Sequence, residues 1–511
     1  MPYSIRLLLA LATLPCGTGK ARAGSGKETA ADLQDLIAPV LERLRQRVEQ
    51  FSQQRVTPTE MCRFEKQLQE ELRELGRTIA QWTYNRLEPQ VNALPKHVWF
   101  EAGPYTRLNQ KTPQNAWTLF GQVRLWRVGY RPTNKTGDAT LFPLALSLGL
   151  VHGATPALAE RAARLLGGSG MTQSQTLEQL RHDHGVGWGV PKLRQVTAAV
   201  SQAMAEQRHE AQVAKLLELL EQARASRGRH KPVLSMGRDG INLGLRVRGG
   251  RIFEVATTGT VTVFDRRGKR LGTVYLAYTP ESGQGTMSLE LERLVREVLQ
   301  RWQGPVPRLC YVTDAGDNET SYYEVVLRRM KQHPRTGEPL HWIRVVDYYH
   351  ASERIWTMAE LLFGKGKQAM AWARKMQKWL LKPGGVNRLL HSAAAFRDQY
   401  GLKAKKLGEF VKAYRYLRNR MQYMRYSEYR TVGVPLGSGV TEAACKTVYT
   451  QRLKLSGMSW EKAGAQTVLN LRVPQLSDVW DAAYGRVLDQ CDEATVAGQP
   501  QREAPKHRKA A

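Results

Sequence analysis

The chain has 511 residues, of which 42% are hydrophobic and 24% are charged. These values are ordinary for globular proteins, exclude a disordered or fibrous chain, and predict several folding units. Lys and Arg number 76 against 46 Asp and Glu, which gives a formal net charge of +30. Such a charge favours a polyanionic partner, either a nucleic acid or an anionic membrane surface. An abundant basic protein without a specific ligand would share it.

The cysteines and the apolar runs exclude further classes of protein. The five cysteines are far apart and include no C-x-x-C pair, so we expect no zinc and no disulfide scaffold. No uninterrupted apolar run reaches the roughly 18 residues that cross a bilayer. These observations predict a soluble protein of the reducing cytoplasm, with no membrane association.

The first segment, residues 1–27, is interpreted as a disordered leader or a misplaced start. Its apolar stretch 7–15 and the A-x-A site at 21–23 also match a secretory signal, and export is the alternative. Against export, the apolar stretch is short, and Lys20 and Arg22 crowd the cleavage side.

The following segments are predicted in chain order from changes in periodicity. Residues 28–95 have apolar residues at helical spacing and predict a helical hairpin, for packing or dimerisation. Residues 96–150 are rich in β-branched and aromatic residues and predict a small β-rich segment. Residues 151–228 predict short helices, including a helix–turn–helix-like DNA-binding region around His184-Gly185-Val186-Gly187. A merely packed helix pair would give the same pattern.

A catalytic core is predicted over residues 229–350 and 431–475. Three strands (233–238, 251–263 and 271–278) are followed by helix, strand, helix and strand. This order is typical of the α/β ribonuclease H-like fold, a mixed sheet flanked by helices. We expect an all-helical basic insertion at 351–430, and a C-terminal extension at 476–511 that is disordered from residue 492.

Basic and aromatic residues alternate within and beyond the predicted insertion. This composition is what phosphate neutralisation and base stacking require, although a solvated basic face over an aromatic core would look similar. The candidate DNA-binding residues are Lys365, Lys367, Arg374, Lys375, Lys378, Arg415, Arg418, Arg420, Arg452 and Lys454.

Three carboxylates are candidates for metal-dependent chemistry. Asp239 and Asp314 each close an apolar strand beside a small residue, where an α/β sheet presents groups to ligands. Either one alone would be an ordinary turn residue. Glu442 falls in the first turn of a helix after Gly437-Ser438-Gly439, with Lys446 one turn later. Three such acids can hold two Mg²⁺ ions, or Mn²⁺ as a substitute, for phosphoryl transfer.

A short Asp-x-x-His motif ends the last predicted strand. The spacing of Asp347 and His350 predicts a hydrogen-bonded pair that fixes the orientation of the imidazole. We expect the pair near the metal site but outside the metal's coordination shell. An N-cap Asp followed by a His that bonds backbone is the alternative.

Several motifs resemble those of a known family. The runs GRDGINL, VTDAG, VVDYYHASE and GSGVTEAACKTVYTQRLKLSGMSW resemble the DDE transposases of bacterial insertion sequences, closest to the ISKra group and allied to Mutator-like elements. The resemblance covers roughly residues 60–475. It implies catalytic and metal-binding roles for Asp239, Asp314 and Glu442, and it places the family's Asp-x-x-His signature on Asp347 and His350. The zinc-binding cysteines of some relatives are missing, and the leader is foreign to the family.

The resemblance also implies a mechanism and partners. Water activated by metal would cut the ends of an element with terminal inverted repeats, and the exposed 3′ hydroxyl would attack target DNA. Two ends must be held together, which implies a homodimer or a larger assembly. A ribonuclease H-like nuclease without strand transfer and a sequence-specific DNA-binding protein remain the alternatives.

Overall fold

The computed structural model describes residues 33–100, 103–133, 140–168 and 170–497. The chain forms two compact units: Met1–Leu166, Met171–Met204 and Tyr484–Ala511 make up the first, and Gly167–Gly170 with Ala205–Ala483 the second. The expected leader, residues 1–27, lies outside the described residues.

The first unit begins with two helices, α1 (Leu33–Gln53) and α2 (Pro58–Arg86). Thr57 caps α2 by accepting a hydrogen bond from the backbone N–H of Glu60 at 3.2 Å. Between the two helices, Glu71 is buried and forms ion pairs with Arg43 and Arg47.

A three-stranded antiparallel sheet follows. Its strands are β1 (His97–Phe100), β2 (Gly103–Thr118) and β3 (Gly121–Pro132), in that spatial order. Alternate residues of β3 are buried, which explains the alternation in the sequence.

Four helices complete the sequence up to the second sheet: α3 (Pro143–Ser147), α4 (Pro156–Gly167), α5 (Gln173–His184) and α6 (Val190–Ala225). Gly185 ends α5 with a left-handed φ of 63°. The sequence predicted short helices here, but α6 is a single helix of 36 residues. It is continuous because neither Gly nor Pro occurs between Lys192 and Arg227.

The second unit contains a five-stranded mixed sheet. Its strands are β4 (Val233–Val247), β5 (Gly250–Phe264), β6 (Arg270–Tyr278), β7 (Arg308–Thr313) and β8 (Trp342–Val346). The spatial order is β6-β5-β4-β7-β8; the first three strands are antiparallel, and β7 and β8 run parallel to β4.

Strand β4 is longer than the sequence predicted. We expected Asp239 at the end of the strand, but it lies within β4, opposite Thr258 of β5. The ladder continues to a tight turn at Gly249, whose φ is 94°. The two strands therefore stay paired past the glycines that suggested a strand end.

Two cores cover the two faces of this sheet. Leu234, Met236 and Tyr311 face a core that includes helix α7 (Gly285–Arg301) and the end of α6. Their neighbours Val233, Cys310 and Val312 face a core built from the helices after β8. Burial on both faces explains the nearly continuous apolar sequence of β7.

The remaining helices complete the second unit and enter the first. The helices are α8 (Asp317–Tyr322), α9 (Tyr348–Phe363), α10 (Lys367–Leu380), α11 (Gly385–Tyr400), α12 (Ala404–Arg420), α13 (Tyr426–Thr431), α14 (Gly439–Cys445), α15 (Lys462–Leu476) and α16 (Trp480–Ala497). Disorder was predicted from residue 492, but residues 492–497 are the last residues of α16. Among the described residues, no helix is both long and apolar enough to span a membrane.

Candidate active site

Asp239 lies in β4, and Asp314 directly follows the neighbouring parallel strand β7. The register pairs Val233 with Arg308 and Met236 with Tyr311, and the same offset relates Asp239 to Asp314. Asp314 follows the last residue of β7, as the sequence predicted. Each aspartate accepts one nearby backbone N–H through Oδ1: Asp239 from Gly240 at 2.7 Å, and Asp314 from Gly316 at 3.0 Å. These bonds leave the second oxygen of each carboxylate for other partners.

Helix α14 lies directly against the sheet and carries Glu442. A Cβ atom placed on Gly237 would be 2.0 Å from Thr441 Oγ1, so only glycine allows this approach. Thr441 Oγ1 is also 2.7 Å from Thr260 Oγ1 of β5. One turn later, the thiol of Cys445 donates to Asp239 Oδ2 at 3.4 Å. The small side chains of this helix thus bring Glu442 to the strand that bears Asp239.

The charges of Asp314 and Glu442 act on the carboxylate of Asp239. Burial raises the pKa of Asp239, and the negative charges of Asp314 and Glu442 raise it further. Hydrogen bonds from Gly240 and Cys445 offset part of this increase. Strand β4, the end of strand β7 and helix α14 thus place Asp239, Asp314 and Glu442 in one region of the second unit.

A fourth acid, Glu319, belongs to the same region and was not among the predicted site residues. Glu319 lies in the first turn of α8 and is buried. Burial raises its pKa first, and the charges of Asp314 and Asp239 add to the increase. An acid in the first turn of a helix is common for electrostatic reasons alone, so this position does not by itself indicate a functional role. The sequence feature that could have indicated one is the short distance, five residues, from Asp314 to Glu319.

Asp347 is fully buried and joins two parts of the site. It caps α9 by accepting the backbone N–H groups of Tyr349 and His350. It also accepts the backbone N–H and the hydroxyl of Ser438, in the loop before α14. Ser438 Oγ lies 2.9 Å from Glu442 Oε1. Since a hydroxyl has one hydrogen, Ser438 donates to Asp347 or to Glu442 at any one time.

His350 lies beside Glu442, but its partners differ from the prediction. The expected side-chain pair with Asp347 is wrong, because Asp347 accepts the backbone N–H of His350. The ring instead has Nε2 3.2 Å from Glu442 Oε1 and Nδ1 3.1 Å from Glu353 Oε2. Burial lowers the pKa of His350, but the charges of Asp347, Glu353 and Glu442 outweigh it and leave the pKa raised. Lys446, one turn after Glu442, is exposed. The ion pair that Glu442 forms is with His350.

The loop after Asp314 is held by helix α12. Ala315 has a left-handed φ of 61°, an unfavourable conformation for a residue with a side chain. Its carbonyl accepts hydrogen bonds from Arg420 Nε at 3.0 Å and Nη2 at 2.9 Å. The hydroxyl of Tyr416 donates to the carbonyl of Asp314 at 2.6 Å. Arg420, predicted to bind DNA, is half-buried and its guanidinium bonds this loop instead.

The other candidate DNA-binding residues divide by exposure. The exposed members are Lys365, Lys367, Arg374, Lys375, Lys378, Arg415, Arg418 and Lys454. Arg452 is an incorrect prediction, because it is fully buried with its guanidinium 5.2 Å from the centre of the Trp460 ring. Burial lowers its pKa to about 10. A buried arginine cannot neutralise a phosphate on the surface.

The comparisons with known proteins add no identity. No family model matches the chain, and no curated protein matches it. The function must therefore be argued from residues and geometry.

The donor set of the site suits a hard cation. Carboxylate oxygens are ligands that Mg²⁺ prefers, whereas zinc favours nitrogen and sulfur. Within the described ranges, no three His, Cys, Asp or Glu residues form a ready metal cluster. The negative charges of Asp314 and Glu442 repel that of Asp239 and raise its pKa. A divalent ion bound between them would relieve this repulsion. Asp239, Asp314 and Glu442 are the residues that would hold it.

Proposed function

We propose that the protein is a DDE-type DNA transposase of the ISKra group of insertion sequences. The observation that carries the proposal is the convergence of Asp239, Asp314 and Glu442 from two strands and a separate helix. Their separation in the sequence, 75 residues and then 128, makes this convergence a property of the fold. Such an arrangement suits metal-dependent phosphoryl transfer.

The topology of the second unit supports a ribonuclease H-like fold for this enzyme. An antiparallel meander of three strands is followed by two parallel strands on its other side. Five α-helices and one 3-10 turn then separate β8 from the short helix that bears Glu442. This order supports a core of this kind interrupted by an all-helical insertion.

The proposed mechanism assigns a role to each group of residues. Two Mg²⁺ ions, with Mn²⁺ as a substitute, would supply activation of the attacking oxygen and stabilisation of the leaving oxygen. Asp239, Asp314 and Glu442 would bind them. Asp347 holds Ser438 through the serine's backbone N–H, the Ser438 hydroxyl would orient Glu442, and His350 pairs with the same carboxylate.

The proposed partner is double-stranded DNA. The exposed cations of α10 and α12 would contact phosphates of element ends with inverted repeats and of target DNA. We infer a homodimer or larger assembly in the cytoplasm, because two ends must be joined to one target.

The first test removes one carboxylate charge. We expect Asp314→Asn to lower Mg²⁺-dependent cleavage of element ends by at least about 100-fold, because one ligand of the ions becomes neutral. DNA binding should be retained. The matched control is Asp317→Asn, an exposed acid at the first residue of α8. Full activity of Asp314→Asn, or an equal loss in Asp317→Asn, would contradict the proposal.

A second assay separates the transposase from its alternatives. Precut ends with a free 3′ hydroxyl should join to a target duplex in Mg²⁺. A nuclease would cleave but not join. A DNA-binding protein without catalysis would do neither, and Asp314→Asn would leave its properties intact.

A further inference from the structure

A cavity lies at the opposite end of the five-stranded sheet from the carboxylates. It has a volume of about 620 Å³, within the range of small-molecule sites. Its lining includes Arg308, the first residue of β7, and Trp342, the first residue of β8. Asp314 and Asp347 follow the other ends of these strands, about 15–20 Å away at 3.3 Å per residue. The cavity is therefore separate from the candidate active site.

Aromatic rings form much of its wall. Four aromatic residues line it: Tyr323, Trp342, Tyr423 and Tyr429. The hydroxyl of Tyr423 donates to Glu324 Oε1 at 3.0 Å, and that of Tyr429 donates to the carbonyl of Arg344 at 3.0 Å. These bonds fix the two rings in place. The indole N–H of Trp342 is buried and has no acceptor within the described structure. Fixed rings beside a free donor suit a planar heteroaromatic group.

Positive charge dominates the rest of the lining. The cations are Lys231, Arg308, Arg344 and Arg425, and the one carboxylate among the lining residues is Glu428. Glu428 pairs with Arg425 at 3.2 Å, and Glu324, which is not a lining residue, lies 4.0 Å from Arg344. Lys231 and Arg308 are the lining cations whose charges these two carboxylates do not offset. Lys231 and Arg425 are exposed, whereas Arg308 is half-buried at the start of its strand. An excess of cations over a concave surface attracts a phosphate group.

Arg344 connects the aromatic and the charged parts. It is 3% exposed, and its guanidinium lies 5.0 Å from the centre of the Tyr323 ring and 4.6 Å from that of Tyr423. One nitrogen donates to Thr320 Oγ1 at 2.6 Å. The Nε–H is buried and has no acceptor within the described structure. A buried donor without an acceptor costs free energy that a bound ligand can recover.

We propose that this cavity binds a nucleotide unit, with the base against Trp342 and Tyr423 and the phosphate near Lys231, Arg308 and Arg425. The unit is either a free nucleotide or the 5′-phosphorylated end of a DNA strand, since both present the same chemistry. The inference goes beyond the proposed function and does not depend on it, because none of the carboxylates of the active site lines this cavity.

The test measures binding to the full chain by titration calorimetry. Four ligands are used separately: adenosine diphosphate, a 5′-phosphorylated single-stranded tetranucleotide, adenosine and orthophosphate. We expect the diphosphate or the tetranucleotide to bind at least about 10-fold more tightly than adenosine or orthophosphate. Binding of the diphosphate identifies a free nucleotide as a ligand, and binding of the tetranucleotide alone identifies a strand end. If neither the diphosphate nor the tetranucleotide binds saturably, the inference is overturned.

Variants locate the binding in this cavity. The double variant Lys231→Gln, Arg425→Gln should bind at least about 10-fold more weakly, because it removes two of the three cationic donors placed near the phosphate. The control Lys331→Gln removes an exposed lysine outside the cavity and should bind as the parent does. Trp342→Phe retains a ring but loses the N–H, and should weaken binding several-fold. If the double variant binds as tightly as the parent, the inference is overturned. It is also overturned if orthophosphate binds as tightly as the diphosphate and the tetranucleotide do.

Discussion

The hydroxyl of Ser438 lies between the carboxylates of Asp347 and Glu442. Ser438→Ala removes the contacts to Asp347 at 2.6 Å and to Glu442 at 2.9 Å. We expect kcat to fall by about 10-fold with KM for DNA unchanged, since Glu442 loses orientation but no DNA contact is removed. Steady-state cleavage assays measure both constants. The control Ser456→Ala changes an exposed serine and should have no effect; a changed KM with normal kcat would contradict the positioning role.

Glu88 provides a residue-scale prediction about stability in the first unit. Glu88 is buried and accepts the backbone N–H of Val128 at 2.8 Å. Burial raises its pKa, although this hydrogen bond and the charges of Lys111 and Arg127 oppose the increase. The unfolded chain therefore ionises first as pH rises, and stability falls between the unfolded pKa, near 4.5, and the raised folded pKa.

The test of this linkage is Glu88→Gln. Glutamine keeps the acceptor for Val128 but never ionises, so we expect a larger free energy of unfolding than the parent at pH 7. The difference should shrink as pH decreases through the window and both side chains become neutral. Urea denaturation at several pH values measures it. A parent that is the more stable protein at pH 7 would refute the argument.

Individual residues also show where sequence reasoning succeeds. The position of Asp314 at a strand end was predictable, because the apolar residues Leu309 to Val312 indicate a buried strand and β7 ends directly before Asp314. Glu442 was predictable from the small residues around it, which allow the close packing seen at Gly237. Arg420 and Arg452 were misassigned because an arginine-rich sequence is the same whether its side chains face solvent or the interior. Tertiary contacts alone decide between the two.

At the scale of elements, the packing of α14 on β4 gives a sharp prediction. A Cβ on Gly237 would clash with Thr441 Oγ1 at 2.0 Å, so Gly237→Ala should displace the helix and cost about 1–3 kcal/mol. Cleavage activity should fall as well, because Glu442 moves with the helix. The matched control is Gly464→Ala in α15, where nothing lies within 4 Å and alanine should stabilise the helix. Equal stabilities of the two variants, measured by urea denaturation, would contradict this packing.

Elements were predictable to different degrees. The strands of the second unit have apolar runs that identify them, but the end of β4 was placed too early because Gly240 and Gly244 suggested a turn. In the structure these glycines lie within the ladder, opposite Thr257 and Phe253. The length of α6 was also missed, since each part of it has the composition of an ordinary short helix. Local pattern identifies the type of an element better than its ends.

At the scale of the whole molecule, the net charge of +30 predicts strongly salt-dependent binding to DNA. The triple variant Lys367→Gln, Arg374→Gln, Lys378→Gln removes exposed charges from α10. We expect the slope of log K against log salt concentration to decrease in magnitude by up to about 0.9 for each phosphate that the variant no longer neutralises. Fluorescence anisotropy with a labelled duplex, across a salt series, measures the slope.

A control with the same change in charge tests whether position matters. Arg45, Arg63 and Arg224 each pair with a glutamate on their own helix, so their replacement by Gln removes three charges that are already balanced locally. The slope should then remain close to that of the parent. Equal changes in the two triple variants would mean that binding depends only on total charge.

The division into two units was not predictable from composition. One boundary lies between Met204 and Ala205, inside the uninterrupted helix α6, where the sequence has no linker, glycine or proline. The other boundaries isolate a four-residue segment, Gly167–Gly170, and separate Ala483 from Tyr484 within α16. Sequence signals for boundaries rely on flexible linkers. A fold in which helices cross from one unit to the other contains no such signal.

Wide π turns continue two helices of the site, Tyr323–Leu327 after α8 and Lys446–Thr450 after α14. Each such turn holds an extra residue compared with an α-helical one, and one residue corresponds to about 100° of rotation. In the second turn, the hydroxyl of Tyr449 reaches the carbonyls of Thr257 at 2.7 Å and Tyr278 at 2.9 Å. Deleting the preceding Val448 would convert the π turn into an ordinary α-helical turn. The ring of Tyr449 would then rotate away from Thr257 of β5 and Tyr278 of β6. We therefore expect the loss of a single amino acid there to lower stability more than the exchange of one side chain for another of similar size.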